Sequence, residues 1–189
     1  SSSNGYATTF QFDPVNTSRG PRKGTNTDGS GVDSLVIGAD GALYGAASAG
    51  GAHADGTLFK LTPAGQFTVL HSFSKLRDGS QPTCLVAGVD GNFYGTTASG
   101  GSGNSGTVFK LAANGTVTTL HAFAHVKNAV GSPPPSPGCP TLGSAGTLYG
   151  ALYLPAQTPT DPNTIILARN LYHVTSAATH RDRKRKSLK

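Results

Sequence analysis

The sequence contains no glutamate, no methionine and no tryptophan, and only 13% of its 189 residues are charged. An average soluble domain is about 25% charged, and exposed helices commonly carry Glu and Lys in pairs. The lack of glutamate therefore argues against long exposed helices and against the many enzyme mechanisms that require a Glu side chain. Apolar runs are far shorter than the ~18 residues of a membrane-spanning helix, so no membrane span is expected.

Glycine, in contrast, is abundant, with 26 residues, and proline adds another 12. The apolar residues between them are mainly Val, Leu, Phe and Tyr, accompanied by many Ser and Thr. Val, Phe, Tyr and Thr favour strands, whereas Gly, Pro and Ser favour tight turns. The composition therefore predicts an all-β protein built from short strands.

The net charge of +6 is concentrated at the C-terminal end. Residues 179–189 contain six basic side chains and one aspartate, a net of +5, which leaves +1 for residues 1–178. A basic face on the folded body is therefore not expected. The C-terminal segment is a candidate for binding nucleic acid or an anionic surface, but a solvated terminus is favoured over a nucleic-acid partner. Residues 176–189 are predicted to be a disordered basic tail, because a polar segment buries too little apolar surface to offset its ordering entropy.

An internal repeat is the strongest signal in the chain. Residues 34–73 align with residues 84–123 without a gap, and 19 of the 40 aligned positions are identical. Each copy contains three blocks: Leu-Val-x-Gly-x-Asp-Gly followed by Tyr-Gly, then Gly-Thr-x-Phe-Lys-Leu, then Thr-x-Leu-His-x-Phe. A period of about 50 residues indicates a solenoid, a propeller or another repeat array.

Weaker copies flank this pair. The block ending in Tyr149-Gly150 repeats the first block at an offset of 55, with the five extra residues in the proline-rich stretch 132–137. Residues 9–12 resemble the end of a repeat. Residues 163–167 resemble a weakened Gly-Thr-Val-Phe-Lys block, and 171–174 follow with the intervening turn almost deleted, so the last hairpin is not expected to form as in units one and two. The predicted divisions are a partial repeat with an inserted loop (1–33), unit one (34–83), unit two with the proline-rich insertion (84–138), a degenerate unit three (139–175) and the tail (176–189).

Each unit is predicted to form four short strands. In unit two these cover 85–88, 92–97, 107–111 and 116–123, with tight turns at Asp90-Gly91 and Asn114-Gly115. Apolar side chains on both faces of the third strand suit a sheet that is covered on both sides. We therefore expect a β-propeller-like array of about three four-stranded blades of ~50 residues. Because closed propellers have at least four blades, the array is expected to be incomplete, either a part of a longer array or completed by oligomerisation.

These blocks together resemble the repeat of the GloVer-containing bacterial tandem-repeat proteins, strongly over 34–123 and loosely over 8–168. The resemblance implies a secreted or surface-attached protein with a propeller-like array, carried with varied anchoring segments. It implies no enzymatic activity and no cofactor. This chain departs from the pattern in having only about three units and no recognisable anchor.

One tyrosine recurs in every unit, always directly before a glycine: Tyr44, Tyr94 and Tyr149. A repeated aromatic beside a Gly-rich loop can stack on a sugar ring, in which case Asn92 and Asn104 are the neighbouring candidate contacts. The alternative is packing between blades, with the phenol reaching a backbone partner. The repeated pattern favours packing, since core aromatics regularly mark propeller blades.

The other recurring polar residues have simpler interpretations than catalysis. Asp40 and Asp90 each precede a turn glycine, and the matching third position is Ala145, so turn chemistry is favoured over a catalytic pair. His71 and His121 recur on the fourth strand, where equivalent positions in adjacent blades fan apart, so neither a metal site nor a catalytic residue is predicted.

The only two cysteines, Cys84 and Cys139, each lie just before the first strand of successive units. They fix no redox compartment and suggest no metal site. A disulfide between them is possible if their Cα atoms lie within ~7 Å, but the insertion before Cys139 allows equally that they do not meet.

The predicted function is that of a non-enzymatic structural or binding module, extracellular or at the cell surface. The chain begins without Met and without an apolar leader, which is expected of a mature secreted product or of a fragment. Expected partners are a glycan, another surface protein or a second copy. One alternative is a carbohydrate-binding propeller, and a second is a truncated propeller-type glycan hydrolase or lyase, against which the missing glutamate counts.

Overall fold

The computed structural model describes residues 10–12, 26–124, 136–143, 147–153 and 170–175. Within these residues the chain forms strands and turns and no helix. The strands make three antiparallel sheets of four strands each, which are not closed into a ring. The predicted all-β, propeller-like class is thereby confirmed, whereas the strand proposed over 163–167 and the tail from 176 lie outside the described residues.

Sheets one and two are each a simple up-and-down order of four strands. Sheet one is formed by β1 (Ser30–Ile37), β2 (Leu43–Ala49), β3 (Thr57–Leu61) and β4 (Phe67–Ser72). Sheet two repeats it with β5 (Ser80–Ala87), β6 (Phe93–Ser99), β7 (Thr107–Leu111) and β8 (Val117–Ala122). The third strand of unit two thus has the predicted bounds.

The first strand of each unit begins about five residues earlier than predicted. β5 starts at Ser80 and pairs with β6 through an irregularity between Pro82 and Cys84. β1 has the same irregularity between Val32 and Ser34. Because such a bulge lets a strand bend and still continue its pairing, the ladder extends beyond the Leu-Val block that marked the strand in the sequence.

Sheet three contains a divided first strand, β9 (Ser136–Pro137) and β10 (Thr141–Leu142), followed by β11 (Thr147–Tyr153) and β12 (Asn170–Thr175). Both β9 and β10 pair with β11, which pairs on its other side with β12. The pairing of Pro137 with Leu152 corresponds to that of Pro82 with Thr97 at the offset of 55.

Residues 171–174 take the third-strand position of sheet three. β12 pairs directly with β11, and Gly150 faces Tyr172 just as Gly95 of β6 faces Phe109 of β7. The residues Leu-Tyr-His-Val therefore take the place of Val-Phe-Lys-Leu in the third strand. The two segments share the order apolar, aromatic, polar, apolar, which places the aromatic ring over the glycine of the neighbouring strand in both.

The sheets pack face to face in chain order. We call the face of each sheet that carries the third-strand aromatic (Phe59, Phe109 or Tyr172) its front face, and the face that carries the repeated tyrosine its back face. One core cluster lies between the back of sheet one and the front of sheet two, with Phe73 among its buried members, and a second lies between sheets two and three around Leu148. Each interface is therefore built from the same pair of faces.

Candidate functional site

The repeated tyrosines lie at these interfaces. Tyr44 and Tyr94 are only 2% and 1% exposed, whereas Tyr149 on the outermost back face is 53% exposed. The Tyr44 ring packs on Phe93 of the next sheet, with ring centroids 4.1 Å apart. Neither Tyr44 nor Tyr94 presents a ring face to solvent, so the sugar-stacking role considered for them does not fit this geometry, and inter-sheet packing does.

Each buried phenol is held by the carboxylate of its own turn. Tyr44 Oη donates to Asp40 Oδ2 at 3.0 Å, and Tyr94 Oη donates to Asp90 Oδ2 at 2.7 Å. The acceptor is thus a side chain and not the backbone group predicted. The sequence hint was the constant four-residue spacing between Asp and Tyr, which is absent in unit three because Ala145 replaces the aspartate.

The same carboxylates shape the turns. Asp40 Oδ1 accepts from the backbone N–H of Ala42, and Asp90 Oδ1 accepts from that of Asn92, both at 3.2 Å. Gly41 and Gly91 adopt positive φ values of 74° and 75°. The predicted turn role is therefore observed, with the left-handed conformation carried by the glycine.

A lysine distinguishes the first turn from the second. Lys60 Nζ lies 2.7 Å from Asp40 Oδ2 and 5.4 Å from the centroid of the Tyr44 ring. The hydrogen bond from Lys60 lowers the pKa of Asp40 to about 2, and the pair raises the pKa of Lys60. For Asp90, partial desolvation opposes ionisation, but hydrogen bonds from Tyr94 and Asn92 prevail and lower its pKa.

The glycine after each tyrosine makes room for the third-strand aromatic. A Cβ at Gly45 would collide with the Phe59 ring, and one at Gly95 would collide with the Phe109 ring and the backbone oxygen of Cys84. Gly150 stands in the same relation to Tyr172. The Tyr-Gly pair is therefore an interface motif, in which one residue fills the back face and the next leaves space on the front face.

The asparagines proposed as ligand contacts do not join the tyrosines in one site. Asn92 Nδ2 donates to Asp90 Oδ2 at 2.7 Å, within the turn. Asn104 is an exposed loop residue with φ of 52°, a left-handed conformation that Asn tolerates better than most residues. The structure thus places the candidate contacts on a turn and a loop, and Tyr94 inside the core.

Among the described residues, one histidine pairs with an aspartate seven positions further along the chain. His71 Nε2 lies 2.6 Å from Asp78 Oδ2, and the His71 ring packs edge-on against Phe73. The His121 ring packs in the same way against Phe123. Within the described ranges no three His, Cys, Asp or Glu side chains converge as a metal site would require, and no helix there is long and apolar enough to cross a membrane.

The junctions between sheets are joined near the first strands. Cys84 and Cys139 form a disulfide from sheet two to the segment between β9 and β10, with Cα atoms 5.4 Å apart. At the equivalent place between sheets one and two, Ser34 Oγ accepts from the N–H of Leu85 at 3.1 Å. The Pro82 ring lies against Gly56, and Pro137 lies likewise against Gly106.

Comparison with known proteins agrees with the repeat. The family described as the Gloeobacter/Verrucomicrobia repeat matches residues 1–157, and no curated protein matches the sequence. Among solved structures, the crystal structure of a proposed gluconolactonase is 17% identical with a TM-score of 0.38, over 64% of this chain and 41% of that one. The family match covers most of the chain, so this protein belongs to the Gloeobacter/Verrucomicrobia repeat family.

Proposed function

We propose that this repeat module is non-enzymatic and serves a structural or binding role outside the bacterial cell, secreted or held at the cell surface. The observation that carries the proposal is that the residues recurring in each unit have structural roles in the fold. The repeated tyrosines, glycines and aromatics pack the sheets against one another, and Asp40 and Asp90 hold the phenols and turns.

The disulfide supports the extracellular location. Disulfides persist in oxidising compartments and are rare in the cytosol, where thiols are kept reduced. The pair Cys84–Cys139 joins two successive sheets, so its oxidation would stabilise the array outside the cell.

The location is tested in cells that produce the full protein. Fractions are quenched with acid, alkylated with a maleimide of high mass, and analysed on gels before and after reduction. The proposal expects the protein in the medium or on the surface, with neither thiol of the pair alkylated until it is reduced. Recovery from the cytosol with both thiols reactive would refute it.

The non-enzymatic role is tested separately on the purified protein. A panel of chromogenic glycosides, polysaccharides and lactones is incubated with the protein, using a heat-unfolded sample as the blank. No turnover above that blank is expected. Turnover that co-purifies with the protein and is lost when Asp40 or Asp90 is changed to Asn would overturn the non-enzymatic part and leave the location unaffected.

A further inference from the structure

Residues 10–12 reproduce the ring contacts that the end of a fourth strand makes in the other units. The rings of Phe12 and Phe59 are 5.3 Å apart, compared with 5.2 Å for Phe73 and Phe109 and 5.1 Å for Phe123 and Tyr172. In each of the last two pairs, a phenylalanine that follows the fourth strand of one sheet contacts the front-face aromatic of the next sheet. Phe12 therefore lies against the front face of sheet one at the position where the corresponding phenylalanine of a preceding sheet would lie.

The residue two positions earlier follows the same rule. The rings of Phe10 and Phe12 pack edge-on at 5.2 Å and 85°, as those of His71 and Phe73 do at 4.9 Å and 86°. Phe10 also stacks on Phe67 of sheet one, with centroids 4.0 Å apart. Residues 10–12 thus mark the interface that a preceding sheet would make with sheet one.

Part of the front face of sheet one is exposed. Leu35 is 57% exposed, although its equivalent Leu85 in sheet two is 4% exposed beneath sheet one. Ile37, at the end of the same strand, is 68% exposed. These side chains present to solvent the apolar face that sheet two buries within the array.

The face that would complement this front face lies on sheet three, at the other end of the described array. The back face of sheet three presents Tyr149, 53% exposed, at the position where Tyr44 and Tyr94 are buried. Along the described chain no strand pairs with the outer edge of β12, whereas β3 and β7 each pair with a fourth strand.

We propose that a second copy of this chain covers these surfaces, with the back face of sheet three of one copy packed on the front face of sheet one of the next. Residues 10–12 of the second copy then lie beside sheet three of the first, where the end of its fourth strand belongs. Among the described residues these two faces lie on the first and the last of three sheets, and because the smallest closed propellers contain four, the described sheets do not close on one another. The contact is therefore head to tail, and two copies close it as a ring of six sheets.

The interface already present inside the chain predicts the residues that would touch. Tyr44 packs on Phe93 between sheets one and two, and the residues equivalent to this pair across the new contact are Tyr149 of one copy and Leu43 of the next. The body carries a net charge of only +1 over residues 1–178, so little electrostatic repulsion opposes two such surfaces. This inference does not depend on the proposed function.

The test uses the full chain in sedimentation velocity over a wide range of concentrations. The wild type is expected to convert from monomer to dimer as concentration rises. Leu35→Arg and Tyr149→Arg each place a charge in the contact and should raise the dissociation constant at least about tenfold. The matched control Val89→Arg alters a fully exposed apolar residue outside both faces and should leave it unchanged, with circular dichroism confirming that all variants are folded.

A cross-link identifies the pairing directly. Leu43→Cys and Tyr149→Cys variants are mixed and oxidised, and the expected product is a disulfide-linked dimer containing one chain of each kind. A wild type that stays monomeric at every concentration would overturn the proposal, as would a dimer that both arginine variants leave intact. A mixture in which the two introduced thiols form no disulfide with each other, although the wild type dimerises, would also overturn it.

Discussion

Sheets one and two present nearly the same residues in the same register, but their front faces have different surroundings. The equivalent residues Leu35 and Leu85 are 57% and 4% exposed because only sheet two has another complete sheet in front of it. The repeat therefore specifies two faces that fit each other, and the position of a unit in the array decides whether its front face is buried. Stability in such arrays comes from contacts between neighbouring units as well as within them.

The first and largest test of this comparison is a pair of equivalent substitutions. Leu85→Ala removes buried volume at the interface of sheets one and two and should lower the free energy of unfolding by about 2–5 kcal/mol. Leu35→Ala should change it by less than about 0.5 kcal/mol, as is usual for exposed positions. Urea unfolding at a concentration where the protein is monomeric measures both, and equal effects would contradict the assignment of the two faces.

The junctions provide the second test. The disulfide joins sheets two and three, whereas the hydrogen bond between Ser34 and Leu85 joins sheets one and two. Removing the disulfide with the double variant Cys84→Ser, Cys139→Ser should lower the unfolding free energy by about 2–4 kcal/mol, since the cross-link constrains a long loop of the unfolded chain. Ser34→Ala should cost about 1 kcal/mol.

Chemical reduction distinguishes the effect of losing the disulfide bond from the effect of replacing the two cysteine side chains. Treatment of the wild type with dithiothreitol should reproduce the unfolding midpoint of the double variant, and treatment of that variant should change nothing. If reduction leaves the wild-type midpoint unchanged, the two cysteines are not bridged in the protein.

The repeat predicted the strands whose residues recur in both units, and it predicted less well the features that leave no pattern in the sequence. The offset of 50 located the strands of sheets one and two, and β7 has its predicted bounds because a buried strand with apolar residues on both faces is easily recognised. The first strands were predicted too short, since a bulge after Pro82 leaves no apolar signature in the sequence. The hydrogen bond from the Tyr94 phenol to Asp90 was harder to predict than the strands, because the direction of the phenol depends on the turn conformation.

Sheet three shows the main limit of reasoning from spacing. Counting residues from the weak block at 163–167 predicts that the last hairpin cannot form as in units one and two, but it does not say to which strand Tyr172 belongs. In the structure Tyr172 belongs to the third strand, because its ring fits over Gly150 as Phe109 fits over Gly95. The order apolar, aromatic, polar, apolar, shared by Leu-Tyr-His-Val and Val-Phe-Lys-Leu, identifies the third strand where the Phe-Lys pair is missing.

The third test concerns this glycine. In Gly95→Ala the added Cβ would meet the Phe109 ring and a backbone oxygen, and overpacking of this kind costs about 1–3 kcal/mol. Gly91→Ala is the matched control in the same sheet, since nothing lies within 4 Å of its Cβ and only the strain of its positive φ remains, which costs about 1–2 kcal/mol.

A second substitution, at Phe109, should distinguish the two glycine variants. Phe109→Leu should recover part of the stability lost in Gly95→Ala, because the smaller side chain vacates the space above residue 95, and it should recover none of the loss in Gly91→Ala. Thermal unfolding of the single and double variants measures this coupling. Additive effects in the Gly95 pair would show that the aromatic ring is not what the glycine accommodates.

The smallest effect distinguishes the turn carboxylates of sheets one and two. Asp40 has a pKa of about 2 because of Lys60, below its ordinary value of about 3.9. A lowered carboxyl pKa stabilises the fold above pH ~4, and this contribution is lost as the pH falls toward 2. In Lys60→Gln, nuclear magnetic resonance titration should therefore show the pKa of Asp40 rising toward its ordinary value, with a shallower loss of stability between pH 4 and 2.

Lys110→Gln should move the pKa of Asp90 much less, because hydrogen bonds from Tyr94 and Asn92 maintain it against desolvation. Equal shifts in the two variants would show that the turns of the two sheets hold their carboxylates in the same way, contrary to the 2.7 Å contact found only in sheet one among the described residues.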